Sequence, residues 1–181
     1  MLSQFVKGKV AVFIDAANIL YSQKTLKWYI DYQKLSEYLR QECAIVGVFY
    51  YTGIVGTFEK QRLFVRKLKS LKYQVTAKEV KFIRVPGRKD LPKGNLDVEL
   101  ALDAYRLKHT FDTLVLFSGD SDFAYLLDLL KRDAKKVVVV SMRGHVAREL
   151  LERAKYISLS QLRSVIEFKE FKRPDKPASE V

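Results

Sequence analysis

The chain alternates short runs of valine, isoleucine, leucine and phenylalanine with longer segments of helical period. Near-continuous apolar runs of this kind are typical of strands that are covered on both faces. Their regular alternation with amphipathic helices favours a parallel sheet with helices on either side. We therefore predict an α/β fold with three layers (α/β/α) around a mainly parallel central sheet.

The pattern predicts six strands and five helices. The strands are Lys9–Ile14, Ile45–Tyr51, Tyr73–Glu79, Thr113–Phe117, Lys136–Ser141 and Tyr156–Leu159. The helices are Asp31–Glu42, Thr57–Lys72, Leu96–Lys108, Ser121–Arg132 and His145–Arg153. In a doubly wound sheet whose strands are ordered 3-2-1-4-5, the first and fourth strands are neighbours.

The composition limits the class of protein and its partners. The 181 residues are enough for one ordinary domain, and 33 basic against 21 acidic residues give a formal net charge of +12. This excess favours a polyanionic partner, with nucleic acid first and an anionic membrane surface second. The single cysteine excludes an internal disulfide framework and a four-cysteine zinc site, and the two histidines leave little room for a histidine-rich metal site. No apolar run approaches the roughly 20 residues of a membrane span, so we expect a soluble, cytoplasmic protein.

Two segments interrupt the strand–helix alternation. Residues 80–95 combine two prolines and two glycines with several cations, which predicts a mobile basic loop or hairpin inserted after the third strand. The last residues, 169–181, are polar and contain proline, and we expect them to be disordered. The remaining residues, 1–168, are predicted to form one domain.

Four aspartates are predicted to meet at one edge of the sheet. Asp15 follows the first strand, and Asp120 and Asp122 follow Thr113–Phe117. Asp97 lies in the first turn of the helix Leu96–Lys108, which comes after the third strand. The carboxyl ends of parallel strands share an edge, and ligands bind there where the strand order reverses. Carboxylates this close repel each other or require a cation, and an all-oxygen cluster suits Mg²⁺ or Mn²⁺. The alternative is helix capping, which remains open for Asp15 and for Asp122.

Other polar residues surround this edge. Asn18, Ser118 and Ser121 are candidate contacts for a phosphate or a metal-bound water, although Asn18 could instead cap backbone groups locally. Cations of the inserted segment are candidate phosphate contacts because that segment leads to Asp97. These cations are Arg84, Arg88, Lys89 and Lys93.

Some further candidates have plainer alternatives. Asp103 is more consistent with a solvated acidic face or a pair with Arg106 than with a metal ligand. His145 follows Gly144 and could contact phosphate at a helix N-terminus. The plainer alternative is that it is an ordinary surface histidine. The aromatic residues beyond the first strand could line a groove or form a homodimer contact. They are Trp28, Tyr29 and Tyr32.

Several other kinds of site are disfavoured. A phosphatase of the haloacid dehalogenase type needs a second aspartate two residues after the first, where this chain has Ala17. A Toprim-like site needs glutamate after the first strand, where this chain has Asp15. Neither a Walker A sequence nor a dinucleotide-binding glycine pattern occurs.

Three segments resemble the NYN domain, a branch of the PIN-like nuclease superfamily, and in particular its LabA-like group. They are FIDAANI (Phe13–Ile19), KGNLDVELALDA (Lys93–Ala104) and LFSGDSDFAYLL (Leu116–Leu127). The resemblance implies a PIN-like α/β fold, an acidic Mg²⁺ or Mn²⁺ site and, commonly, RNA cleavage. The four aspartates stand at the matching acidic positions, and Asn18 stands at the matching polar position.

These observations together predict a metal-dependent ribonuclease. Its substrate would be single-stranded RNA, hydrolysed by a metal-activated water held in the aspartate cluster. Two alternatives remain open. One is a non-catalytic regulator that binds RNA or a partner with the same fold, and the other is a flap-type DNA nuclease with the same acids.

Overall fold

Parallel strands form the centre of the molecule. A computed structural model describes residues 1–55, 59–83, 91–93 and 95–169, and within these residues the chain forms eight strands. They are β1 (Lys9–Asp15), β2 (Ala44–Ile54), β3 (Gln74–Glu79), β4 (Lys81–Ile83), β5 (Leu91–Lys93), β6 (Thr113–Phe117), β7 (Lys136–Ser141) and β8 (Lys155–Ser158). Six of them make one parallel sheet in the order β3-β2-β1-β6-β7-β8.

Helices cover both faces of this sheet. They are α1 (Ala16–Leu26), α2 (Tyr32–Glu42), α3 (Glu59–Ser70), α4 (Asp97–Arg106), α5 (Ala124–Arg132), α6 (Arg148–Leu151) and α7 (Arg163–Ile166). Short 3-10 turns occupy Leu2–Gln4, Lys108–Thr110, Ser121–Phe123 and Leu159–Leu162. The predicted three-layer α/β/α fold with a parallel central sheet is confirmed.

Alternation along β1 separates the two layers of core. Val12 and Ile14 pack into one apolar cluster, which includes Leu35 of α2. Phe13, between them, packs into a second cluster, which includes Leu100 of α4 and leucines of α5. Successive side chains of a strand point to opposite faces, so one buried strand supplies both layers.

The strand order reverses between β1 and β6. β1 pairs with β2 on one side and with β6, the fourth strand of this sheet along the chain, on the other. The prediction that the first and fourth strands are adjacent in the sheet is therefore confirmed. The turns that follow β1 and β6 both open at the carboxyl edge of the sheet.

Three of the differences from the predicted boundaries concern the helices α1, α5 and α6. α1 starts directly after Asp15, although its sequence has little amphipathic period, because Asp15 caps it. The helix predicted from Ser121 begins as a 3-10 turn and becomes α-helical at Ala124. The helix predicted over His145–Arg153 is reduced to the four residues of α6.

The inserted basic segment contains a two-stranded hairpin. β4 and β5 pair antiparallel, with Lys81 opposite Lys93 and Ile83 opposite Leu91. This agrees with the hairpin alternative for residues 80–95. Residues 84–90 and 94 lie outside the described residues, as does the predicted tail after Lys169. In the part of the chain that is described, no helix has the length and apolar character needed to cross a membrane.

Candidate metal centre

Asp15 is placed by the junction between β1 and α1. Its Oδ1 accepts hydrogen bonds from the backbone N–H groups of Ala17 at 3.1 Å and Asn18 at 3.2 Å. Only 7% of the residue is exposed. Burial raises the pKa of this carboxyl above its ordinary value, and the charge of Asp120 adds to the effect, against the hydrogen bonds that lower it. Asp15 therefore both caps a helix and lines the edge of the sheet.

Ser118 connects Asp15 to Asp120. Its Oγ donates a hydrogen bond to Asp15 Oδ2 at 2.9 Å and accepts one from the Asp120 backbone N–H at 3.2 Å. Ser118 is fully buried. The prediction that Ser118 contacts substrate does not fit this burial, because its hydroxyl lies beneath the carboxylates and is used by them. Its geometry is that of a residue that positions two aspartates.

The loop after β6 is also held from α1. The side-chain oxygen of Asn18 accepts a hydrogen bond from the Gly119 backbone N–H at 3.0 Å. A Cβ atom on Gly119 would lie 2.0 Å from the carbonyl oxygen of His145 and 2.6 Å from the Oγ of Ser141. Only glycine fits here, so the approach of backbone to backbone explains its place between Ser118 and Asp120.

Three carboxylates meet beside this network. One oxygen each of Asp97, Asp120 and Asp122 lies within 4.8 Å of the other two. Asp97 starts α4, where its backbone N–H donates to Asn95 Oδ1 at 2.8 Å. The Oδ1 of Asp120 accepts from the Asp122 backbone N–H at 3.0 Å and so caps the 3-10 turn. The two aspartates after β6 thus meet Asp97 from a different element, as the strand order predicts.

The electrostatics of the cluster favour a cation. Partial burial, together with the charges of Asp15, Asp120 and Asp122, raises the pKa of Asp97 to about 6, although a hydrogen bond with the Asn95 side chain lowers it. Close carboxylates with oxygen donors only are a donor set that suits Mg²⁺ or Mn²⁺. The acidic residues of this site therefore fit a divalent metal.

An open cleft of about 750 Å³ lies against the acidic residues. Asp15, Asp97 and Asp120 form its acidic wall. The other lining residues come mainly from α1, the end of β2 and the start of α4. They are Ala16, Ala17, Asn18, Leu20, Tyr21, Lys24, Tyr51, Thr52, Gly53, Val55, Gln61, Val80, Asn95, Leu96 and Leu100.

The other predicted site residues lie in different places. Ser121 is exposed at the start of the 3-10 turn, beside the cluster in sequence. Lys93 belongs to β5. Arg84, Arg88 and Lys89 lie outside the described residues.

The interpretation of Asp103 as a partner of Arg106 is confirmed, whereas the interpretation of Trp28 is wrong. Asp103 pairs with Arg106 at 3.0 Å and accepts from the Tyr51 hydroxyl at 2.9 Å, outside the group of three carboxylates. Tyr51 itself is buried in the core. Trp28 is 4% exposed, so its interpretation as a groove or dimer contact is wrong.

Sequence reasoning missed the wall that α1 contributes. Tyr21 and Lys24 line the cleft, and the Tyr21 ring stacks on that of His145 with centroids 4.8 Å apart. The available signal was the spacing of Asn18, Tyr21 and Lys24, because residues three apart share a helix face. This signal is readable only once a helix is placed directly after Asp15.

Comparison with known proteins identifies the class to which this fold and site belong. The family model of the NYN domain matches residues 9–160. A crystal structure of a protein of unknown function from Vibrio parahaemolyticus is similar with a TM-score of 0.71 and 26% sequence identity, over 84% of this chain and 93% of that chain. The chain belongs to the NYN domain family. Family membership and the aspartate cluster together support a nuclease-type role.

A curated relative covers nearly the whole chain. The low amplitude and bright protein LabA from Synechococcus elongatus is 35% identical over 175 residues, which is 94% of both chains. The resemblance to the LabA-like group, expected from three short segments, is therefore confirmed over almost the full length.

Proposed function

We propose that this protein is a metal-dependent ribonuclease that hydrolyses phosphodiester bonds of single-stranded RNA. The observation that carries the proposal is the convergence of Asp97, Asp120 and Asp122 within 4.8 Å, beside Asp15 and open to a cleft. Cap hydrogen bonds account for Asp15 and Asp120 individually. They do not account for three acidic side chains brought together from two separate elements.

The charge distribution supports a polyanionic substrate. The chain carries a formal net charge of +12, while its cleft is lined by at least three carboxylates. A basic protein attracts a phosphate backbone at long range. A cation in the acidic wall would remove the local repulsion between that wall and the phosphates.

Each acidic residue has a proposed role. Asp97, Asp120 and Asp122 would hold Mg²⁺ or Mn²⁺, with Asp15 as a further ligand or a neighbouring charge. A divalent ion in such a site lowers the pKa of bound water and stabilises the leaving oxygen of a phosphodiester. Asp122, the most exposed of the three, would serve as a ligand or would orient a water molecule.

The polar residues have supporting roles. Asn18 and Ser118 hold the loop that carries Asp120 and Asp122 against the ends of β1 and α1. Ser121 and Lys93 are proposed contacts for the substrate backbone. Arg84, Arg88 and Lys89 are proposed as further phosphate contacts.

A cleavage assay tests this proposal. Labelled single-stranded RNA and DNA of the same sequence are incubated separately with the purified protein in Mg²⁺, Mn²⁺ or EDTA. The variants are Asp97→Asn and, as a matched control on the same helix, Asp103→Asn. Asp103 undergoes the same chemical change, but it pairs with Arg106 outside the cluster.

The expected result is metal-dependent RNA cleavage that is lost in Asp97→Asn and kept in Asp103→Asn. Preferred cleavage of DNA would favour the flap-type nuclease instead. Binding of RNA without cleavage under any metal condition would favour the non-catalytic regulator. Cleavage that survives in Asp97→Asn would contradict the assignment of the cluster.

A further inference from the structure

One face of α1 carries three polar or aromatic side chains along the cleft. Asn18, Tyr21 and Lys24 are spaced three residues apart, and all three line the cleft. We call them the α1 row. Residues three apart lie on the same helix face, and the row extends about 9 Å along the helix axis. It starts at the loop of the acidic cluster, where Asn18 binds Gly119, and leads away from it.

Tyr21 is unusually exposed for a large aromatic residue that lines a cleft. Its exposed fraction is 63%. Its ring stacks on His145 with a centroid distance of 4.8 Å and an interplanar angle of 28°. The stack orients the tyrosine ring, while most of the side chain stays open to solvent. An oriented, exposed aromatic ring is what proteins offer to an unpaired nucleobase.

The imidazole of His145 has no hydrogen bond to the described residues that would explain its position. Among the described residues its Nδ1 is buried and has no hydrogen-bond partner. Its carbonyl oxygen packs against Gly119, so its backbone is tied to the loop of the acidic cluster. The imidazole thus supports Tyr21 from a segment whose position depends on that same loop.

Lys24 adds a positive charge at the far end of the row. Its side chain is exposed, and among the described residues no carboxylate lies within ion-pair distance of it. A lysine with this placement is available for a phosphate. Its distance from the acidic cluster makes a phosphate of a neighbouring nucleotide the fitting contact.

We infer that the α1 row is a nucleotide subsite for single-stranded nucleic acid. One base next to the cleaved phosphate stacks on Tyr21, and a flanking phosphate binds Lys24. The inference rests on the proposed function and deepens it, since it says how the strand is held and in which direction it leaves the metal centre. It also assigns His145 a positioning role, through the Tyr21 ring rather than through contact with phosphate.

Binding measurements without cleavage test the subsite. The probe is a short fluorescent single-stranded RNA, bound to full-length Asp97→Asn protein in EDTA and followed by anisotropy. Tyr21→Leu and Tyr21→Phe are compared with Tyr29→Leu, because Tyr29 is also 51% exposed but does not line the cleft. Thermal unfolding of every variant shows that the fold is retained. We expect about tenfold weaker binding for Tyr21→Leu, and binding close to that of the parent for Tyr21→Phe and Tyr29→Leu.

A base-deletion scan distinguishes stacking from a general loss of structure. A single abasic nucleotide is moved along the RNA and the affinity is measured at each position. With Tyr21 present, the abasic site should weaken binding most at one position, and Tyr21→Leu should abolish that dependence.

A matched pair of lysine variants tests the phosphate contact. Lys24→Gln should lower the slope of log K against log salt concentration by about one phosphate contact. Lys27→Gln removes an exposed charge that does not line the cleft, and it should leave the slope unchanged.

The outcomes separate the two proposals. Failure of the Asp97→Asn protein, with Tyr21 intact, to bind RNA in Mn²⁺ as well as in EDTA would overturn the proposed function and the subsite with it. Normal RNA binding with no loss in Tyr21→Leu would overturn the subsite alone. An equal loss of affinity at every abasic position, in the protein with Tyr21 and in Tyr21→Leu alike, would also overturn the subsite. That result would show that Tyr21 holds no particular base.

Discussion

The side-chain oxygen of Asn18 accepts a 3.0 Å hydrogen bond from the backbone N–H of Gly119. This bond joins the first turn of α1 to the loop that carries Asp120 and Asp122. Since Asp15 caps the same helix, one helix end fixes acidic residues from two neighbouring strands. The metal centre therefore depends on contacts that are not themselves metal ligands.

Removing the Asn18 amide should loosen this loop. In Asn18→Ala the buried Gly119 N–H loses its partner, at a cost of about 1–3 kcal/mol in the free energy of unfolding. We expect lower stability in urea and a larger loss of cleavage than of RNA binding. Gln33→Ala is the control, because it removes an exposed amide whose one side-chain bond within the described residues is to Glu37 on the helix surface. Equal stability of the two variants would contradict the positioning role of Asn18.

A methyl group at Gly119 should be far more disruptive than one at Gly144. Gly119→Ala places a Cβ 2.0 Å from a backbone carbonyl, so the loop or the segment around His145 must shift. Gly144 has φ +86°, and a Cβ there would have no atom of the described residues within 4 Å, so alanine meets backbone strain of about 1–2 kcal/mol. Thermal unfolding and metal-dependent cleavage of both variants check this. A Gly119→Ala protein with parental stability and activity would refute the close approach.

The hydroxyl of Ser118 should set the ionisation of Asp15. Its hydrogen bond lowers the pKa of that carboxyl, so Ser118→Ala should raise the pKa further. The change also leaves the Asp120 N–H without its partner, at a cost of about 1–3 kcal/mol. We expect the pH dependence of cleavage to move to higher pH. Ser121→Ala removes an exposed hydroxyl and should leave the pH dependence of cleavage unchanged. An equal shift in both variants would argue against a specific effect of Ser118 on Asp15.

The acidic cluster should destabilise the protein when no metal is bound. The pKa of Asp97 is about 6 in the folded state, above its ordinary value of 3.8, so the native state binds the proton more tightly. The stability contributed by the protonated group is present at low pH and is lost as the pH rises from about 4 to about 6. Asp97→Asn should thus stabilise the metal-free protein at pH 8 by about 1–2 kcal/mol, after allowance for solvent screening.

Thermal unfolding in EDTA at several pH values measures this effect. The difference between Asp97→Asn and the parent should be largest at pH 8 and disappear near pH 4. Asp103→Asn should not show this pattern, because Asp103 is paired with Arg106. If the protein with Asp97 were more stable than Asp97→Asn in EDTA at pH 8, the proposed destabilisation by the acidic cluster would be contradicted.

The sequence was sufficient for the sheet and for the acidic edge. Continuous apolar strands such as Thr113–Phe117 are fully buried, and aspartates that follow strands are confined to one end of a parallel sheet. The position of Asp97 was predictable for the same reason, because it begins the helix that returns to the switch point. At these residues the local sequence pattern and the order of the strands in the sheet lead to the same prediction.

The supporting contacts were not predictable in the same way. The hydroxyl of Ser118 and the amide of Asn18 reach partners about 100 residues away in sequence, and their roles depend on the distance between two turns. α1 was not delimited because its apolar period is weak and its start depends on a cap. Consequently Ser118 was expected to face substrate, and Tyr21 was not identified at all.

Direct measurement of metal binding tests the central claim. Mn²⁺ is titrated into the full-length protein, Asp97→Asn and Asp103→Asn by calorimetry at pH 7.5, without nucleic acid. The structure predicts saturable Mn²⁺ binding in the parent and in Asp103→Asn, and at least tenfold weaker binding, about 1.4 kcal/mol, in Asp97→Asn. Equal Mn²⁺ affinity in all three proteins, or no binding by the parent, would contradict a metal centre formed by Asp97, Asp120 and Asp122.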